Sequence, residues 1–97
     1  MNVTVARIYV TEGKHVYEKI FKRLHDEHKV NGVTVFRGIS GFGRSGEEHS
    51  ADLLAMSFDL PVIIEFFDND EKVQAVIQSL NDIVPKCHIM TYAAQLR

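Results

Sequence analysis

The sequence predicts an α+β domain with element order βαββαβ, which a four-stranded antiparallel sheet with two helices on one face satisfies. Three observations predict it. Apolar spacing along the chain alternates between strand-like and helix-like in that order. A glycine-rich insert separates the second and third strands. The chain has 97 residues, which suits one hydrophobic core, so residues 1–97 are expected to form a single domain.

Residues 3–10 read as a strand rich in β-branched and aromatic side chains, ended by Thr11-Glu12-Gly13. A helix follows over residues 14–29. Its apolar positions Val16, Tyr17, Ile20, Phe21 and Leu24 recur at spacings of three and four, Glu18 and Lys22 stand four apart on the wet side, and Asn31-Gly32 closes it. Residues 33–39 form the second strand and residues 61–67 the third, which Pro61 can start because a strand's first residue need not donate. Asp68 is expected to cap the second helix by accepting from the Glu71 amide. Asp70 and Glu71 suit its positive end, and Val73, Val76, Ile77 and Leu80 make its buried stripe. Pro85 stops that helix, and residues 86–94 form the last strand.

Parity on the strands adds a second inference. In the third strand Val62, Ile64 and Phe66 point one way and Ile63, Glu65 and Phe67 the other, so both faces are largely apolar. Two helices cover one face only. Leaving the other wet forgoes about 1.5 to 3 kcal/mol per large side chain, so that face is expected to be covered by further copies of the chain, with Arg7, Arg37 and Glu65 supplying ion pairs within the contact.

Composition narrows the function. Eleven Lys+Arg against 13 Asp+Glu give a net charge of -2, without the basic excess of a nucleic-acid binder. The single cysteine, Cys87, forms no intramolecular disulfide, which points to a reducing, cytoplasmic setting. No signal-peptide pattern opens the chain, and its longest apolar stretch, residues 60–67, contains Pro61 and Glu65, so no membrane insertion is expected.

Chemistry concentrates between the second and third strands. Gly38, Gly41, Gly43 and Gly46 are four of the chain's six glycines and let backbone N–H groups approach an anion; Arg37 and Arg44 bracket them. Ser45 and Glu48 have capping-box spacing, which predicts a short helix over residues 46–56 within a flexible loop of about residues 40–58. His49 follows the glycines and can donate to a bound anion.

Other patterns carry less. Gly41-x-Gly43-x-x-Gly46 matches the dinucleotide fingerprint, but 97 residues in this order leave no room for a doubled βαβ fold. His25 and His28 suit a helix C-terminus and lack a third metal ligand. Neighbours Cys87 and His88 point to opposite faces of a strand, which defeats a nucleophile–base pair. Base-stacking aromatics of RNA-recognition modules belong on the third strand, which here reads Val62-Ile63-Ile64-Glu65-Phe66-Phe67. No catalytic residue and no metal site are assigned.

Tyr9, Tyr17-Glu18-Lys19-Ile20, the run Val35-Phe36-Arg37-Gly38-Ile39-Ser40-Gly41-Phe42-Gly43, His49, Asp59-Leu60-Pro61-Val62-Ile63-Ile64-Glu65 and Asp70-Glu71-Lys72-Val73 together resemble the PII-like proteins of domain-of-unknown-function family 190. The resemblance covers nearly the whole chain. It implies a ferredoxin-like protomer, a homotrimer with inward-facing sheets, and a loop after the second strand equivalent to the T-loop of PII signalling proteins. It further implies an adenine nucleotide (AMP, ADP, ATP or cyclic AMP) as a small anionic effector in clefts between subunits. Carried over residue by residue, the expected ligand contacts are Arg37, Gly38, Gly41, Phe42, Gly43 and His49, with Arg44 as a phosphate partner and Lys86 as a further candidate. No tyrosine occurs between Arg37 and Asp59, which removes the uridylylation site of nitrogen regulators. The reading is a non-enzymatic regulatory trimer without a required cofactor, whose loop contacts a target protein. The alternatives are a small enzyme acting on an anionic metabolite in the same cleft and a CutA-like metal-tolerance trimer.

Overall fold

A computed structural model describes residues 1–43, 48–50 and 59–97. Six strands and two principal helices are assigned: β1 (Asn2–Thr11), α1 (Val16–Lys22), β2 (Gly32–Arg37), β3 (Ser40–Phe42), β4 (Glu48–Ser50), β5 (Pro61–Asp68), α2 (Asp70–Ser79) and β6 (Ile89–Gln95). The main sheet has the antiparallel order β2-β5-β1-β6, and β3 pairs with β4 as a separate ribbon. This is the expected ferredoxin-like βαββαβ sandwich with an insert after the second strand.

Alternation explains the core. Across the sheet the register aligns Val33, Phe66 and Ala6 in one row and Val35, Ile64 and Ile8 in the next. Directly opposed residues share a face, so these rows point together toward Ile20 and Leu24 on one side chain stripe and Val73, Val76 and Leu80 on the other. Phe66, Ile64, Ile8, Ile20 and Leu24 are fully buried there. The opposite face carries Val5, Tyr9, Phe36, Ile63, Phe67 and Tyr92, with the Arg7–Glu65 ion pair at 3.3 Å among them. No described helix lies over it, and Phe36, Met90 and Tyr92 remain 43%, 54% and 44% exposed.

Several boundaries differ from the sequence reading. The first helical segment is a 3-10 turn (Gly13–His15), α1, and a π-helical stretch (Arg23–His28), ended by Lys29 in the left-handed region at φ 50° rather than by Asn31-Gly32. Asn69, not Asp68, caps α2: its side chain accepts from the Lys72 amide at 2.9 Å. Asp68 is buried and already accepts from the backbone N–H groups of Asn31 and Asn69. β2 stops at Arg37, and β6 starts only at Ile89 because residues 86–87 form a turn, with Cys87 at φ 64°, so Cys87 and His88 are not strand neighbours. Residues 48–50 are a strand paired with β3 rather than part of a helix. The remainder of that expected helix, and most of the expected loop, lie outside the described residues.

Candidate functional site

The site lies where three strand ends meet. β1 leaves the sheet at Thr11, β5 enters at Pro61, and β2 ends at Arg37 opposite Val62. Parity puts Val10, Val62 and Arg37 in one row on the helix side, and Glu12, two residues past Val10, continues on that side. Arg37 therefore does not join Arg7 and Glu65 on the open face. Instead its Nε donates to Glu12 Oε1 at 2.8 Å. The Arg37 side chain is 60% exposed, whereas that of Glu12 is 14% exposed.

Three backbone-anchored bonds knit this junction. The Glu12 N–H donates to the Leu60 carbonyl at 2.9 Å, the Gly38 N–H donates to the Pro61 carbonyl at 2.7 Å, and the Gly13 N–H donates to Asp59 Oδ1 at 2.9 Å. The start of β5 is thus fastened to the ends of both β1 and β2. Tyr17 of α1 stands within electrostatic reach. Its phenol pKa is raised, chiefly by a hydrogen bond with Glu18, then by burial and the charges of Glu18 and Glu12, with Arg37 opposing.

The glycines divide into two kinds. A Cβ on Gly38 would lie 2.8 Å from Pro61 Cγ and 3.3 Å from Pro61 O, so glycine there permits the strand ends to close. Gly41 sits over the same ring, with a hypothetical Cβ 3.4 Å from Pro61 Cγ. A Cβ on Gly43 would meet no described residue beyond its chain neighbours within 4 Å. Packing accounts for Gly38 and contributes at Gly41; among the described residues nothing crowds Gly43.

Of the other expected contacts, Phe42 is 74% exposed in β3, and the backbone of His49 in β4 pairs opposite Gly41. Arg44 lies outside the described residues. Residues 86–88 occupy the same end of the sheet, since the Tyr9 N–H donates to the His88 carbonyl. They sit on the opposite edge, however, three strand spacings or about 14 Å from β2. One protomer therefore places Arg37 where the glycine hairpin starts and Lys86 by the opposite edge of the sheet.

Sequence reasoning missed Glu12, which it placed in a turn. The signal was the register: an antiparallel sheet with Val10 opposite Val62 and Val62 opposite Arg37 leaves a carboxylate at position 12 beside the guanidinium. A groove of about 930 Å3 lies at the far end of the sheet, lined by Asn2, Thr4, Asp70, Gln95 and Arg97 among others. It is remote from Arg37. Among the described residues no group of three or more His, Cys, Asp or Glu is arranged to hold a metal ion, and no described helix is long and apolar enough to cross a membrane.

Comparison with known proteins places this geometry. The sequence profile of the family DUF190, described as Uncharacterized ACR, matches residues 3–96. A UPF0166 protein of Aquifex aeolicus (strain VF5) is 30% identical over 89 residues, 92% of this chain and 91% of the relative. Among solved structures, CPII, a nitrogen regulatory PII-like protein from Thiomonas intermedia K12 bound to ADP, AMP and bicarbonate, superposes with a TM-score of 0.76 at 20% identity, covering 99% of this chain and 89% of that one. CutA1 from Oryza sativa gives 0.65 at 11% identity, covering 100% and 82%. At these identities the structural likeness shows a shared fold.

Proposed function

The chain belongs to the DUF190 family, and from that premise we propose that it is a PII-like regulatory protein that binds an adenine nucleotide at the junction of Arg37 with the glycine hairpin. The observation that carries this reading is Arg37 itself. Its guanidinium is 60% exposed and belongs to the residue just before Gly38, where the glycine hairpin starts, and among the described residues only its Nε is engaged. A guanidinium whose outer edge donates to no described residue suits a phosphoryl group, which takes two parallel N–H bonds. Phe42 offers an exposed ring nearby. The net charge of -2 is compatible with such a local site and unsuited to a long polyanion.

The apolar open face supports a trimer as the working assembly. Docking of copies through this face would cover Phe36, Met90 and Tyr92 and bring an Arg37 edge of one copy toward residues 86–88 of the next, which a single protomer keeps apart. The nucleotide then acts as an effector whose occupancy is passed through the insert to a target protein, and turnover is not part of the reading.

Thermal unfolding with AMP, ADP, ATP and cyclic AMP tests it. A ligand at 100 times its Kd adds about 2.7 kcal/mol, which for a domain of this size raises Tm on the order of 10 °C. Arg37→Ala is expected to abolish the shift. No shift with any of the four at millimolar concentration, or an unchanged shift in the variant, overturns the reading.

A further inference from the structure

Among the described residues, Glu12 is the charged side chain bonded to Arg37, and the pair is asymmetric. The carboxylate is 14% exposed and the guanidinium 60% exposed. The Glu12 backbone is fixed on both sides: its N–H donates to the Leu60 carbonyl and its carbonyl accepts from the His15 N–H at 3.2 Å. The backbone at Arg37 is held as well, by its ladder pairing with Val62 and by the bond from the Gly38 N–H to the Pro61 carbonyl. The asymmetry lies in the side chains: the carboxylate is packed in, and the guanidinium reaches into solvent.

Which guanidinium edge is used matters as much. The bond runs from Nε, the inner donor, to Oε1 at 2.8 Å. The outer edge, formed by Nη1 and Nη2, donates to no described residue and remains for a bidentate acceptor. An incoming anion has two courses: displace Glu12, or bind beside it on the outer edge. Displacement would strand a largely buried carboxylate without a partner, a costly outcome. Binding on the outer edge keeps every charge paired.

We propose that Glu12 is the positioning residue of the anion site: by holding Arg37 Nε it fixes the guanidinium plane and presents the Nη1/Nη2 edge to one phosphoryl or carboxylate group of the ligand. This rests on the reading of Arg37 as the anion contact and goes beyond it by assigning a role to Glu12. An unrestrained Arg37 must be ordered at the moment of binding, which costs on the order of two- to tenfold in affinity for a long side chain. The Glu12 charge itself opposes an anion, so its benefit lies in geometry, and the test must separate the two.

Glu12→Gln and Glu12→Met do so, because both remove the charge and only Gln keeps an acceptor for Nε. The Gln variant is expected to bind ADP about two- to tenfold more tightly than the Met variant at equal melting temperature. With Arg37→Lys, which keeps the charge but loses the fork, the difference between Gln and Met is expected to vanish. Independently of ligand, the Arg37 Nε–H resonance in nitrogen–proton correlation spectra should be sharp and slow to exchange in the wild type and the Gln variant, and lost in the Met variant. Equal ADP affinity of the Gln and Met variants, or an unprotected Nε–H in the wild type, overturns the positioning role. Tighter binding by Met than by Gln would make Glu12 a competitor and overturn it as well. If Arg37→Ala binds ADP like the wild type while the Nε–H signal behaves as expected, the failure lies in the nucleotide reading: the pair is then structural, and the ligand role of Glu12 falls with it.

Discussion

Tyr92→Lys tests the assembly inferred from the open sheet face. Tyr92 lies on β6 opposite Val5, in the row that also holds Phe67, and keeps 44% of its surface exposed in the protomer. Covering that remainder removes roughly 100 Å2 of surface from water, about 2.5 kcal/mol at 25 cal per Å2. A trimer contains the contact three times, so losing it weakens assembly by about 7 kcal/mol, or some five decades in the association constant. The added ammonium makes the contact worse still, because an unpaired charge would be desolvated. The protomer core is untouched, since Phe66, Ile64 and Ile8 face the other way. Sedimentation at micromolar concentration should give about three times 11.0 kDa for the wild type and 11.0 kDa for the variant, with unchanged far-ultraviolet circular dichroism. Gln78→Lys, on the exposed side of α2, serves as the control and should remain assembled. A wild type that sediments as a monomer, or a Tyr92→Lys protein that stays assembled, refutes the reasoning.

Two further outcomes follow from local geometry. Arg23 grips Asp82 with two bonds of 2.8 and 2.9 Å, and this hydrogen-bonded pair lowers the Asp82 pKa below its ordinary value. Because the folded value lies below the unfolded one, the pair's contribution is present above about pH 4 and fades as pH falls through the folded value; Asp82→Asn should flatten that part of the acid limb in melts between pH 2 and 6, and an unchanged limb would count against the pair. Gly38→Ala places a methyl 2.8 Å from Pro61 Cγ and should cost about 1 to 3 kcal/mol in urea unfolding, whereas Gly43→Ala, which crowds no described residue, should leave stability unchanged; equal losses would contradict the division between the two glycines.

Much of the fold is legible because strands and helices advertise their buried faces by period. Val62, Ile64 and Phe66 alternate with Ile63, Glu65 and Phe67, and the first set is the one that meets the helices. What the sequence obscures is competition between neighbouring local solutions. Asp68 and Asn69 are both competent caps, and the choice goes to Asn69 because Asp68 is taken by the Asn31 amide from across the fold. Glu48 has capping-box spacing from Ser45, yet residues 48–50 find β3 as a partner, a pairing that no helical period signals. The candidate site shows the same split. Arg37 and its glycines stand out as a local motif, whereas Glu12 is 25 residues away and becomes a neighbour only through the strand register.

The placement of Arg37 ties ligand binding to assembly in this reading. It ends an edge strand, so one side of it faces β5 and the other faces whatever lies beyond the protomer. Within one chain, residues 86–88 lie by the far edge of the sheet, about 14 Å in backbone spacing from β2. If copies complete the cleft, nucleotide and neighbour each favour the other by the same factor, because linkage between two binding equilibria is reciprocal. Tyr92→Lys then reports on the site as well: it leaves Arg37, Glu12 and the hairpin unaltered, and any loss of ADP binding in that variant must come through the missing neighbour. Retained affinity in a monomeric variant would instead place the whole anion site within one chain, around Arg37 as Glu12 holds it.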